Sequence, residues 1–294
     1  MPIEVKTVNS ASLKPHWWQW PTVLSLDAPS VALVWQVMIS HVCGVVLDLP
    51  RQIILGLSIW LAYVIDRWIE AYRLKTQQIH TKRLMFYHTN QKFIALIWLI
   101  LFGCDLYLAL HNLSRSEITH GLYLFTAVAL YLFSHQLLHR HVRWRIPKEI
   151  CVALILSAGV GFFIIFTPGY NREFLNKSLI IFGLLCFVNC TFISIWEKAI
   201  DTHQGQASLA REYAFTMRFG RWFAWCYTIF IGVFCLISDP GMQILGVCAL
   251  ISSLFLIVID HYEPKYGRPW ARVLADFALL TPLVFTVYWH CQKG

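Results

Sequence analysis

The sequence predicts an all-α integral membrane protein, a bundle of about nine transmembrane helices, on three observations. First, 57% of its 294 residues are hydrophobic and only 14% are charged, with a mean hydropathy of +0.56; an ordinary soluble domain carries roughly 25% charged residues. Second, apolar runs of about 20 residues, the length that crosses a bilayer as a helix, recur from end to end between short polar breaks. Third, the 24 Lys and Arg residues fall in those breaks rather than along one basic face. That distribution orients a chain in a lipid bilayer and gives no support to a nucleic-acid partner.

The runs begin near Val31, Gln52, Phe93, Ile118, Ile150, Leu175, Phe219, Gly241 and Trp270, and end in charges, Pro or Gly. Only Asp48, Pro50 and Arg51 separate the first two; Pro50 favours a tight turn over one continuous helix, because proline breaks a helix interior. Ahead of the first run, Lys14, His16, Trp17, Trp18 and Trp20 give an interface-seeking, amphipathic stretch without the apolar core of a secretory signal. The expected division is therefore an amphipathic cytosolic segment, 1–29, and a single nine-span domain, 30–294. Counted over alternate breaks, 19 of the 24 cationic residues share the N-terminal side, against Arg51, Arg115, Arg172, Lys177 and Lys293 opposite. Cytosolic loops retain positive charge, so the N-terminus is expected inside and the C-terminus outside. The location expected is that of an integral multi-pass membrane protein, in the cytoplasmic membrane if the source is bacterial. The nine Cys residues are scattered, with no CxxC pair, and read as small packing residues.

Two spans end in acids. The second closes as Asp66-Arg67-Trp68-Ile69-Glu70-Ala71 and the sixth as Glu197-Lys198-Ala199-Ile200-Asp201-Thr202: acid, base, any residue, Ile, acid, small residue. The four-residue spacing sets both acids of a pair on one helix face, where two carboxylates can share a divalent cation. Carboxylates near a bilayer are costly to keep ionised and mark function by default. Two such stripes on one side of the membrane would hold Mg²⁺, which completes its shell with water and substrate phosphates, so a diphosphate is the implied ligand. The bland alternative is surface ion pairing with Arg67, Arg73 and Lys198, which contributes little; the repetition at equivalent topological positions argues against it.

At these residues the chain resembles the UbiA superfamily of intramembrane prenyltransferases, which typically have nine spans. Asp66-Arg67-Trp68-Ile69-Glu70 is similar to the family's DRxxD on the second span. Glu197, Asp201, Gly205 and Ser208 match the spacing of its DxxxDxxxGxxS-like motif on the sixth, and Thr191 stands where that motif often carries Thr. Ala62 and Tyr63 replace the Asn and Asp that such enzymes place before DRxxD, so two ligands of the family pattern are missing. The resemblance implies a Mg²⁺-dependent enzyme that moves a prenyl group from a prenyl diphosphate to a lipophilic, for instance aromatic, acceptor. Asp66, Glu70, Glu197 and Asp201 would be its catalytic and metal-binding residues. Arg67, Arg73, Lys82, Arg83, Arg140, Arg143, Lys148 and Ser208 are its candidate substrate contacts, each basic one equally explained by the positive-inside signal.

Other features carry weaker expectations. Trp68, Trp196 and Tyr63 lie nearest the motifs and could shield a carbocation, although packing is the commoner role of such rings. His135, His139 and His141 form an HxxxHxH cluster that admits a haem- or metal-binding redox protein as a rival, but one cluster is too small for a di-iron centre. Asp105, Asn189 and Asp276 are polar residues within expected spans, with Asp276 one turn beyond Arg272; helix–helix hydrogen bonding is their default role. No nucleotide-binding or soluble-hydrolase motif is placed to operate. A non-catalytic protein that binds or transports a polyprenyl or lipid phosphate is the principal alternative to the transferase.

Overall fold

The computed structural model describes residues 15–74, 81–136, 147–204 and 207–285, and every regular element among them is helical. After a 3-10 turn at Trp17–Gln19 come α1 (Trp20–Val23), α2 (Asp27–Val42), α3 (Leu49–Arg73), α4 (Lys82–Thr89), α5 (Gln91–Asn112) and α6 (Arg115–Gln136). The second half comprises α7 (Lys148–Ile165), α8 (Arg172–Gln204), α9 (Leu209–Glu212), α10 (Thr216–Ile237), α11 (Pro240–Tyr266) and α12 (Arg268–Phe277). Pro50 stands in the first turn of α3, where its missing N–H costs nothing, so the break between the first two runs falls where the sequence places it.

Six helices, α3, α5, α7, α8, α10 and α11, are long and apolar enough to cross a membrane. A seventh span results if Trp17–Val23 and Asp27–Val42, bent 77° from one another, count as one. The chain is thus a multi-pass membrane protein. Helices begin within four residues of all nine expected starts, but three of them differ from a plain span. α2 has 16 residues and starts at Asp27, ahead of the expected boundary at residue 30. α6 opens on Arg115, Glu117, Thr119 and His120, and α12 stops after 10 residues.

α8 is the axis of the bundle, packed by α7, α10, α11, α12 and α2, with Trp35, Phe182, Leu185, Phe192 and Leu245 in the core around it. Of its most apolar stretch 67% is buried, against 11% in α5, whose Leu96, Leu99, Ile100 and Leu110 face outward as lipid-covered residues do. At 33 residues α8 is about 50 Å long, well beyond a ~30 Å hydrocarbon layer. Its apolar stretch gives way to Glu197, Lys198 and Asp201 in the last turns.

The same end of the bundle is built up by short elements. α4 packs on α3 and α5 through Val64, Ala71, Leu84, Tyr87 and Ile94. The N-terminal turn is tied to it: Lys82 Nζ donates to Gln19 Oε1 at 3.2 Å, and the hydroxyls of Ser25 and Tyr87 lie 3.0 Å apart. Gly267, at φ +86°, ends α11 in a conformation that only glycine adopts freely, so α12 can turn back onto α8 and α2. At the opposite end Arg51 donates to Glu117 at 2.7 and 3.2 Å and to Asp48 at 2.7 Å, pinning the starts of α3 and α6.

Candidate functional site

On α3, the four-residue spacing brings Asp66 and Glu70 to one face, and Arg67 serves both: its Nη1 is 3.0 Å from Glu70 Oε2 and 3.6 Å from Asp66 Oδ2. Glu70 is buried, as is Asp201 on α8. Asp201 draws its counter-charge from another helix, with Lys148 Nζ at the start of α7 lying 3.7 Å from its Oδ2. Ser208, in the segment after α8, lies beside Asp201. Neither Asp201 Oδ2 nor Ser208 Oγ makes a hydrogen bond among the described residues.

The two pairs lie within electrostatic reach of one another. Glu70 of the first interacts with Asp201 and Lys148, and Glu197 of the second with Arg67. Glu197 is surrounded by positive charge from four elements, namely Arg272 on α12, Arg83 on α4, Lys148 on α7 and Arg67 on α3. Arg83 is the least comfortable of these cations. Burial, together with neighbouring Arg67 and Arg272, pushes its guanidinium below the ordinary value, and its Nε has no partner among the described residues. A buried N–H without an acceptor costs about 1–3 kcal/mol, and more on a charged group. An anion with several oxygens would relieve both the crowding of positive charge and the unfilled donor.

The remaining expected contacts divide. Lys148 and Arg83 reach the site, whereas Lys82 is engaged with Gln19 and Arg73 lies exposed in the last turn of α3. Arg140, Arg143, Gly205, His139 and His141 lie outside the described residues. His135, at the end of α6, packs its ring 4.8 Å from that of Tyr131. Thr191 faces α10 instead of the acids: a Cβ on Gly220 would meet Thr191 Cγ2 at 2.8 Å, so glycine permits the close approach of α10 to α8 there. Trp68 packs with the α4 cluster, and Trp196 donates to Asp260, which Arg221 also holds at 2.6 Å; both rings serve as packing or cross-links. Tyr63 lies in the field of Arg67, Asp27 and Asp276.

Two contributors were not foreseen. Arg272 has the strongest attraction for Glu197, and only its local spacing to Asp276 was visible beforehand. Glu149, 2% exposed, accepts the Leu209 N–H at 3.1 Å and so ties the Ser208 segment to α7, while Ala210 N–H donates to Ser194 Oγ at 3.0 Å. An acid directly after Lys148 at the mouth of a span was its only signal in the sequence. Among the described residues, no three His, Cys, Asp or Glu side chains gather as a metal-holding group.

Fold and site together define a multi-pass membrane protein with a half-buried, mixed-charge cluster where its helix ends meet. No family model, no curated protein and no solved structure matches the chain.

Proposed function

We propose that this chain is a divergent intramembrane prenyltransferase of the UbiA type, with nine spans and a cytosolic N-terminus, moving a prenyl group from a prenyl diphosphate to a lipophilic acceptor. One observation carries the reading: Glu197 lies in the field of Arg272, Arg83, Lys148 and Arg67, drawn from four elements, and the Nε of Arg83 finds no acceptor among the described residues. A diphosphate offers the oxygens and the negative charge that these cations would take. Asp66 with Glu70, and Glu197 with Asp201, would each hold a Mg²⁺ ion. Asp201 Oδ2, which accepts no hydrogen bond among the described residues, fits such a role, and a site of few carboxylates suits an ion that keeps water and substrate phosphate in its shell. When bound, the metal supplies stabilisation of the charge that develops on the leaving diphosphate.

The chain's own residues have separate tasks in this scheme. Arg83, Arg67 and Arg272 bind the diphosphate oxygens, while Lys148 holds Asp201 in place. Glu149 and Ser194 fix the backbone around Ser208 and set its hydroxyl beside the site. The apolar chain of the substrate lies toward the middle of the bundle, away from water, where its burial is favourable.

A second reading, binding or transport of a polyprenyl or lipid phosphate without bond cleavage, has its own support. Arg67 and Lys148 pair with Glu70 and Asp201, and no three-ligand metal group exists among the described residues. The two readings separate when the reconstituted protein is given labelled prenyl diphosphates of several lengths, Mg²⁺ and a membrane lipid extract. Transfer is expected, with release of diphosphate abolished by Asp66→Asn and by Asp201→Asn. Tight binding without release would instead establish the binding protein, and no binding at any chain length would sink both.

A further inference from the structure

α4, the short helix that carries Arg83, is tied to the segment ahead of α2. Lys82 Nζ donates to Gln19 Oε1 at 3.2 Å, the hydroxyls of Ser25 and Tyr87 lie 3.0 Å apart, and the rings of Trp20 and Phe86 meet edge to face at 5.6 Å. Trp60 on α3 adds a further tie, donating to the Leu24 carbonyl at 3.0 Å. Lys82 stands next to Arg83 in the chain, and Tyr87 follows Arg83 by one turn on the same face of α4. The polar ties thus bracket a cation whose Nε finds no acceptor among the described residues.

The segment can move about one point. Trp17–Val23 and Asp27–Val42 meet at 77°, and Ser25 lies in the bend at φ +56°, the only non-glycine residue of positive φ among those described. The sequence puts the break there. Pro29, in the first turn of α2, has no N–H to offer the Ser25 carbonyl, so an unbroken helix cannot run through. A left-handed conformation is unfavourable for a residue with a Cβ and persists only where its surroundings hold it. Tyr87 holds Ser25 through the hydroxyl, and the Pro21 carbonyl takes the Leu26 N–H at 2.8 Å.

A second arrangement is open to the segment. α2 alone has 16 residues, about 24 Å, short of a ~30 Å hydrocarbon layer, whereas the bent pair together has the length and apolarity of a span. Swung out from α4, the segment extends α2 through the layer. Seated, it lies along the boundary with Trp17, 85% exposed, and Trp20, Leu24 and Leu26 turned outward, as residues at a lipid–water boundary are.

We infer that residues 17–26 form a hinged strap, pivoting at Ser25, whose seating on α4 and the filling of the anion site at Arg83 favour one another. The coupling rests on the anion site proposed above; the strap and its hinge do not. Seated, the strap fixes α4 and with it the position of Arg83. An anion held by Arg83 in turn keeps α4 where Lys82 and Tyr87 meet the strap. Linkage makes the effect reciprocal, so each event strengthens the other by the same factor.

Amide hydrogen exchange of the reconstituted full chain, with and without inorganic pyrophosphate and Mg²⁺, tests the coupling. In the wild type, pyrophosphate is expected to slow exchange across residues 17–26 about tenfold, within the range usual for coupled sites, while the amides of α11 stay as they were. Tyr87→Phe and Gln19→Ala each cut one tie. Both are expected to quicken exchange across 17–26 without ligand, and to weaken pyrophosphate binding, read by calorimetry, by up to about the same tenfold. Gln19 is uncharged and is tied to Lys82, so its effect on affinity is the readout that a merely structural tie would not move. Should Tyr87→Phe fail to fold, Gln19→Ala decides alone. Pyrophosphate that binds but leaves exchange across 17–26 unchanged, or affinity untouched by these substitutions, overturns the coupling. Exchange that is no faster in the variants overturns the strap. If the wild type binds no pyrophosphate, the anion reading falls and the coupling with it, while ligand-free exchange in the variants still decides the strap.

Discussion

The acid pair on α3 and the acid pair on α8 share one sequence pattern but are neutralised differently. On α3 Arg67, within the motif, contacts both carboxylates, and Lys148 and Arg83 also act on Glu70. On α8 the base inside the motif, Lys198, is not the partner; Lys148 holds Asp201, and Arg272, Arg83, Lys148 and Arg67 all act on Glu197. The first pair has its direct contact from a residue of its own helix, and the second draws on cations of four other elements. Equal motifs should therefore respond unequally to single substitutions.

The largest effect is expected at the α3 pair. Arg67→Met removes the cation in contact with both carboxylates at once and should destabilise the protein by roughly 3–5 kcal/mol, the range for breaking a buried ion pair from one side. Denaturant unfolding in detergent checks this, and a loss under about 1 kcal/mol would show that the α3 pair is no more dependent on one partner than the α8 pair. Lys148→Met should cost less, about 2 kcal/mol, because the other cations and Ser208 remain near the α8 acids. Adding Asp201→Asn to that variant should recover most of the loss, a coupling that a double-mutant cycle measures directly.

Glu149→Gln tests how the distributed site is held together. With a neutral acceptor for Leu209 N–H the expected cost is about 1 kcal/mol, and hydrogen exchange at Leu209 and Ala210 should quicken while α8 stays protected. The smallest effect has the opposite sign. Arg83 is disfavoured by burial and by its cationic neighbours, so Arg83→Met should stabilise the ligand-free protein by up to about 1 kcal/mol. The same variant should abolish the rise in melting temperature that inorganic pyrophosphate gives the wild type. A drop in stability without ligand, or an undiminished response to pyrophosphate, would remove Arg83 from the anion site.

How much of this was legible depends on the range over which each feature is decided. Helix positions were readable because lipid admits only segments that satisfy their own backbone hydrogen bonds, so hydropathy and Pro50 suffice to place them. The count of clear spans was less so: the bend before α2 and the polar opening of α6 blur the length rule. Thr191 illustrates the limit for sites, since its spacing from Asp201 suited the motif while the contact with Gly220 turned it toward α10. Lys82, too, was eligible by position and was taken instead by Gln19.

The sequence by itself determined a helical, multi-pass membrane protein and the faces on which Asp66, Glu70, Glu197 and Asp201 lie, because hydropathy and helical periodicity are local properties. Only the tertiary structure decided which charges answer them. Lys148 and Glu149 come from α7 and Arg272 from α12, and no local pattern records which helix ends pack side by side. Electrostatic partnership is a matter of distance and burial, and both are set when the bundle closes around α8.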